Sequence, residues 1–482
     1  MKKCTLFIFL FLTFSVVSKA FCGFYVAKAG SDLYNQKSEV ILVRDGNQTT
    51  ITMSNDFTGN VKDFAMVIPV PNVLKREDIK IADRSVFSKL DAYSAPRLVE
   101  YYDANPCNTY SKELYLVEEE ADEVLDVAPT IVRREDKKYK VKIDAVYNVA
   151  EYEIIILSAK DSEGLKNWLV DNGYKIPLKA EKVLKPYIKS NLKFFVVKVD
   201  LNKYNPQSKG GFLRPLQIKV QSKKFMLPIR LGMANAIGEQ DMIVYAFSKK
   251  GRIEFTNYRT VDMPTNRNVP TFVKPNFGNF YKDLFRNNYQ REGRDAVMLE
   301  YAWNVTPRWS GVKCDPCVGN PPYFKELIQA GVHWTGSNIP VHFTRLHVRY
   351  ILDKFPEDLF FQETPNNQRF QARYVITHPA TGNLNCEDGM KYKRKLRQRR
   401  RKELSELAAL TQWNTIDFYD YVANGTDKIK TVSDTDENEA LPFSSNGPAK
   451  NKGFTVLFFS LFSLLLLYSG RSVLYSLSLL RQ

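Results

Sequence analysis

The chain has 482 residues, 44% hydrophobic, 13% aromatic and 25% charged, a composition that excludes a disordered or low-complexity chain and leaves room for one large folded body or two domains. The net charge of +16 is a local feature: the two end segments hold five cations and no acid, residues 391–402 hold nine more, and the remainder is nearly balanced.

Taken in chain order, Lys2 and Lys3 precede an uncharged apolar run over 5–17 and the small-residue triplet Ser18-Lys19-Ala20. This is the order of a secretory signal, with cleavage expected after Ala20 and residues 1–20 lost. The run is short for a membrane span, which weighs against the alternative of an uncleaved anchor. Phe21 stands directly before Cys22, so no lipid is expected on that cysteine. Residues 40–44 (VILVR) and 49–53 (TTITM), joined by Asp45-Gly46-Asn47, read as a β-hairpin. FAMVIPV (64–70) is a short buried run whose end Pro69 and Pro71 demote to an edge or an exit. Residues 85–93 look helical, limited by Pro96.

The acidic stretch 118–126 places a boundary near 130, between a strand-rich N-terminal domain (21–130) and an α+β main domain (131–390). In the latter, strands are expected at 150–157, 194–199, 216–220, 242–247, 297–303, 342–350 and 369–377. A hairpin through Lys249-Lys250-Gly251 is expected to return the chain over 252–258. Helices are expected at 161–172, started by Asp161 and stopped by Gly173, at 277–288 and at 322–330. Many short strands with interspersed helices, in no steady alternation, predict an α+β fold with mostly antiparallel sheet.

Lys391, Lys393, Arg394, Lys395, Arg397, Arg399, Arg400, Arg401 and Lys402 open a basic helix expected over 391–415, with Leu396, Leu404, Leu407, Ala408 and Trp413 at helical spacing. Dense cations attract phosphate. Export excludes nucleic acid as the partner and leaves anionic phospholipid or anionic envelope polymer, each cation near such a membrane contributing about 1 kcal/mol. The bland alternative is a solvated face, or pairing with the chain's own acids Glu118, Glu119, Glu120, Asp122, Glu123 and Asp126. A polar linker follows over 416–452, with residues 424–452 rich in Asp, Asn, Ser and Pro. Its Asp434–Asn438 stretch resembles the start of a calcium loop but lacks the required glycine and the closing acid. Residues 453–470 are uncharged and just long enough for a transmembrane helix, leaving a short cytoplasmic tail over 471–482. The alternatives are a buried core helix and a cleaved sorting tail.

Six cysteines occur, and Cys4 leaves with the signal. In an exported chain disulfides are the default, and five remaining thiols leave one over. The expected pairs are Cys22 with Cys107 and Cys314 with Cys317, with Cys386 unpaired or in an alternative pair. Cys314-Asp315-Pro316-Cys317 has a redox reading, but Pro321 and Pro322 push the next helix away from the first cysteine, where a thioredoxin-like site needs it. It has a metal reading through His333, His342, His347, His378 and Cys386, but His342 and His347 are five apart in a strand and face opposite sides. A structural disulfide is preferred. No serine-hydrolase elbow, zincin motif, P-loop or dinucleotide fingerprint occurs, so no catalytic residue, metal or cofactor is assigned.

FCGFYVAKA (21–29), DFAMVIPVPNVL (63–74), LDAYSAPRLVEYYD (90–103), YEIIILSAKDSEGLKNWLVDNGYKIP (152–177), KFMLPIRLGM (224–233), TNYRTV (256–261), LEYAW (299–303), CDPC and FTRLHVRY (343–350) together resemble the bacterial family called domain of unknown function 2330. The resemblance runs from about residue 21 to about 413. It implies a bacterial envelope protein, often with a membrane or sorting tail, and no activity or catalytic residue. The expectation is an exported protein anchored in the inner membrane, its body in the periplasm or outside the cell, acting as a binding or structural module. The competing reading is a thiol-redox enzyme using Cys314 and Cys317.

Overall fold

The computed structural model describes residues 24–28, 38–55, 63–108, 139–172, 174–175, 180–200, 203, 213–234, 238–305, 321–336 and 339–423. The signal segment, the tail, residues 424–452, Gly173, Cys22, Cys314 and Cys317 lie outside them. No helix among the described residues is long and apolar enough to cross a membrane.

Two large sheets stack on each other. The first has nine strands, with Arg259–Asp262, Ala296–Val305, Val341–Tyr350, Gln240–Ser248, Ser38–Asp45, Gln48–Asn55, Leu216–Gln221 and Ile79–Ile81 in spatial order and Phe370–Gln371 paired to Ala296–Val305. The second has six: Val141–Val149, Tyr152–Ala159, Lys193–Asp200, Asp63–Val70, Phe24–Lys28 and Tyr174–Lys175. Because side chains alternate across a strand, each sheet sorts its residues to two faces. Val40, Leu42, Met242, Val244, Leu346 and Val348 of the first meet Met66, Ile68, Ile154, Ile156, Phe195 and Val197 of the second in the largest core. The second sheet's other face is covered by the helices Ser162–Asp171 and Ala180–Lys189 through Leu165, Trp168, Leu169 and Leu184. The first sheet's other face is covered by Ser85–Ser94 and Phe324–Ala330 in one region and by Phe277–Arg291 and Glu387–Thr411 in another. The body is thus an α+β sandwich of four layers, helices outside both sheets.

The hairpin at 45–47 forms as expected, Asp45 pairing with Gln48. Asp161 caps its helix by accepting from Gly164 N at 2.6 Å. Among the described residues, Pro69 pairs only with Lys193–Asp200, the described pairing with Phe24–Lys28 ending at Val67. Gly331 closes the helix Phe324–Ala330 in the left-handed region, with φ of 103°.

Three expectations are corrected. The strands on either side of residue 130 share both sheets: Asp63–Val70 pairs with Lys193–Asp200, and Ser38–Asp45 with Gln240–Ser248. A boundary there would cut both cores. The hairpin through 249–251 does not form. Gln240–Ser248 is flanked on both edges already, so Ile253–Phe255 pairs instead with Leu359–Glu363 in a separate small sheet. Gly251, at φ of 151°, makes this departure: a Cβ there would meet Thr364 O at 2.4 Å. The linker expected from 416 does not begin there, since Ile416–Phe418 and Tyr419–Ala423 are helical and Tyr421 is buried.

Candidate functional site

The basic segment lies on the helix Glu387–Thr411, which begins four residues earlier than expected and ends before Trp413. At about 100° per residue, its buried positions Arg400, Glu403, Leu404, Leu407 and Leu410 fall on one side. The leucines pack into the cluster that holds Phe280, Leu284, Tyr374 and Tyr421.

The nine cations divide by that geometry. Arg400 is buried, donating to Tyr421 O at 2.9 Å with its guanidinium 4.7 Å above the Tyr421 ring. Arg399 pairs with Asp103 at 2.8 Å and with Glu403 at 3.3 Å. Burial pushes the Asp103 carboxyl up, but Arg399 and Tyr392 outweigh it and hold it below its ordinary value. Burial wins at Glu403, which is raised despite Tyr421, Arg399 and Arg400. Lys391 pairs with Glu387 and Asp388 on its own helix, and Lys393 lies 3.4 Å from Asn385 Oδ1. Arg394, Lys395, Arg397, Arg401 and Lys402 are exposed and make no ion pair with a described residue. They occupy one solvent-facing arc of about 160°, opposite the leucines. Arg394 and Arg397, then Arg397 and Arg401, stand three and four apart, where like charges repel by about 0.2–0.5 kcal/mol per pair. The helix carries this cost without an acid among them.

Cys386 is the N-cap of the same helix, its Sγ accepting from Gly389 N at 3.2 Å. It is bonded to Cys107, with Cα atoms 5.9 Å apart. This corrects the expected pairing of Cys107 with Cys22. The two partners are 279 residues apart and meet because Arg97–Tyr102 lies parallel to Arg373–His378, so that both chains leave this sheet at one end. Tyr392 and Arg399 both hold Asp103, and Asn105 Nδ2 donates to Thr381 O at 2.8 Å. The loop 103–108 is therefore seated along the first turns of the basic helix.

A second polar cluster was not singled out as a site from the sequence. It lies under the helices, on the outer face of the nine-stranded sheet. Arg345, His347 and Arg349 alternate along Val341–Tyr350 on that face. Glu300 joins them through a bulge in Ala296–Val305, where the register shifts between Leu299 and Tyr301. The bulge puts Glu300 and Tyr301 on the same side, so a carboxylate points under the helix Phe277–Arg291. Glu300, 1% exposed, accepts from Arg345 Nε at 2.6 Å and also takes the Tyr281 hydroxyl. His347 Nδ1 lies 2.9 Å from Glu300 and Nε2 3.1 Å from Asp241, while Phe285 stacks on its ring at 3.9 Å. Arg349 binds Asp241 through two bonds of 2.9 Å.

Only the doubly protonated imidazole donates to both carboxylates. Burial alone would lower the His347 pKa, but Glu300 and Asp241 outweigh it and raise it. Burial alone would raise Glu300; Arg345, His347 and Tyr281 outweigh it and hold it at about 2. Asp241 is held well below the usual carboxylate range by His347 and Arg349 against its burial. The cluster continues through Arg345 to Asp91 at 2.7 Å and from Asp91 to the Tyr245 hydroxyl at 3.0 Å. Among the described residues no serine or cysteine hydrogen-bonds to His347, whose two ring nitrogens both face carboxylates. The arrangement is that of a charged structural junction between sheet and helices. The sequence signal was the polar residue at every second position of FTRLHVRY.

Ala20, Cys22, Cys314 and Cys317 lie outside the described residues. Residues 16–362 match the family described as an uncharacterized protein conserved in bacteria, domain of unknown function 2330, so the match stops short of the basic helix. Curated proteins give no match. Among solved structures, the chain aligns with the crystal structure of baculovirus P35 at a TM-score of 0.23 and 11% identity, covering 70% of this chain and 96% of that one, a likeness too low to carry any argument. With well over half of its length matched, this chain belongs to the bacterial family domain of unknown function 2330.

Proposed function

We propose that the protein is an exported, membrane-anchored envelope protein whose basic helix binds the head groups of anionic phospholipid. The observation that carries this reading is the five-cation arc of Arg394, Lys395, Arg397, Arg401 and Lys402, exposed and free of described acids, on a helix fastened by its other face. The charged signal-like start and the uncharged 453–470 stretch support export and anchoring. Residues 424–452, rich in Asp, Asn, Ser and Pro, connect the described residues to that stretch in sequence.

The test uses the chain ending at residue 452 and vesicles of phosphatidylcholine with or without phosphatidylglycerol. Co-sedimentation is expected only with phosphatidylglycerol and is expected to fall steeply between low and high salt. At about 1 kcal/mol per cation, replacing all five by glutamine weakens binding by at least about 100-fold. Equal binding by that variant ends the reading. Arg399 and Arg400 are left in place because they hold the helix.

A further inference from the structure

We propose that a cavity at one end of the sandwich core binds a short aliphatic carboxylate, its chain between the two sheets and its head group at Lys224. The proposal does not rest on the lipid reading. The basic helix lies outside the nine-stranded sheet, whereas this cavity lies on that sheet's inner face.

Three observations converge. The first is the cavity. Ile51, Met53 and Ile218 of the first sheet and Ile68 and Val70 of the second line a space of about 50 Å³. It forms where strands of both sheets run out: Val70 and Gln221 are the last residues of theirs. Pro71 and Pro228 line the same space and bring no N–H to it. Cavities lined in this way stay dry and take apolar guests, and one of about 150 Å³ holds benzene. About a third of that volume takes about two carbons of a chain. About as many again reach the mouth, so the chain has about four to six carbons. The second observation is the mouth. Thr49, Ser222 and Lys224 are the polar members of the lining. Ser222 Oγ accepts from Lys224 N at 3.0 Å, which sets the turn that carries Lys223 and Lys224. Both lysines are exposed and make no ion pair with a described residue. The third is a buried cation behind that turn. Arg44, 5% exposed, donates to Thr49 Oγ1 at 2.8 Å, Ser222 O at 3.1 Å and Lys223 O at 3.2 Å, all neutral oxygens. An apolar slot with cations at its opening selects a chain with an anionic head. One lysine in the lining matches one negative charge, which is a carboxylate and not a phosphate dianion.

Methyl NMR of the full-length chain tests this, with isoleucine δ1 carbons labelled and the protein held in phosphatidylcholine nanodiscs. The probes are the sodium salts from acetate to octanoate. Saturable shifts are expected at Ile51, Ile68 and Ile218, while Ile243 and Ile376, which belong to other cores, stay unmoved. Affinity is expected to rise about four-fold per added methylene and to level off near hexanoate, once the cavity is full. Lys224→Gln is expected to weaken hexanoate binding several-fold and to leave hexanol binding unchanged. No shift at the three lining isoleucines up to about 10 mM hexanoate overturns the proposal. Shifts of equal size at Ile243 and Ile376 also overturn it, because they mean uptake by the bilayer or non-specific association. Hexanol bound by the unaltered chain as tightly as hexanoate, or hexanoate bound equally by Lys224→Gln, overturns the choice of a carboxylate.

Discussion

His347 shows how one side chain's protonation is written into the fold. Its two ring nitrogens face Glu300 and Asp241, with Arg345, Arg349, Tyr281 and Asp91 close by. The folded pKa of His347 is raised, so its contribution to stability is complete below its ordinary value of 6.5 and is lost as pH rises through the folded pKa. Glu300 has the opposite sign. Its carboxyl is held at about 2 against an ordinary 4.5, so its contribution is present above 4.5 and lost as pH falls toward 2. The junction is therefore strongest between about pH 5 and 6.5 and weakens on both sides. Urea unfolding across pH 4–9 reads this directly. In His347→Gln, which cannot take up the proton, the decline above pH 6.5 is expected to flatten while the acid-side decline remains. Parallel slopes for both proteins above pH 6.5 would exclude His347 as the source.

At the scale of the element, the helix Glu387–Thr411 puts chemically identical side chains to two uses. Neighbouring Arg400 and Arg401 differ by 100° around the axis, and this alone sends one under Tyr421 and the other into solvent. Arg400→Ala removes a bond to a buried carbonyl, a ring contact and the packing of its stem, and is expected to cost about 2–3 kcal/mol in chemical denaturation. Arg401→Ala is expected to stay within about 0.5 kcal/mol of wild type. Equal losses would mean that the block acts as one charged unit. The sequence made the helix legible through Leu396, Leu404 and Leu407, and it made the charge legible. It could not divide the charge, because which cation is buried depends on Asp103, which reaches the helix from a distant part of the chain, and on Tyr421, which folds back onto it from the next helix. The same holds for Glu300, whose burial depends on a one-residue bulge that local propensity does not mark.

Over the whole molecule, strand existence was legible from alternating apolar residues, but beyond the local hairpin at 45–47 strand partners were not. Strand edges explain the difference. The return strand after Gly251 looked like half of a hairpin, but both edges of Gln240–Ser248 are taken by Ser38–Asp45 and Val341–Tyr350. The acidic run likewise looked like a domain boundary, since composition changes there, yet the chain re-enters the same two sheets on its far side. Asp63–Val70 lies between Lys193–Asp200 and Phe24–Lys28, and Ser38–Asp45 between Gln240–Ser248 and Gln48–Asn55. Removing residues 21–130 would take interior strands from both sheets and expose Met242, Val244, Phe195 and Val197, now wholly buried. Long-range pairing of this kind makes a sandwich unfold as one cooperative unit. A fragment of residues 131–423 is therefore expected to show no cooperative thermal transition and to bind hydrophobic dyes, while residues 21–423 unfold in a single step. Two resolved transitions in the longer chain, one of them retained by the fragment, would restore the boundary near residue 130.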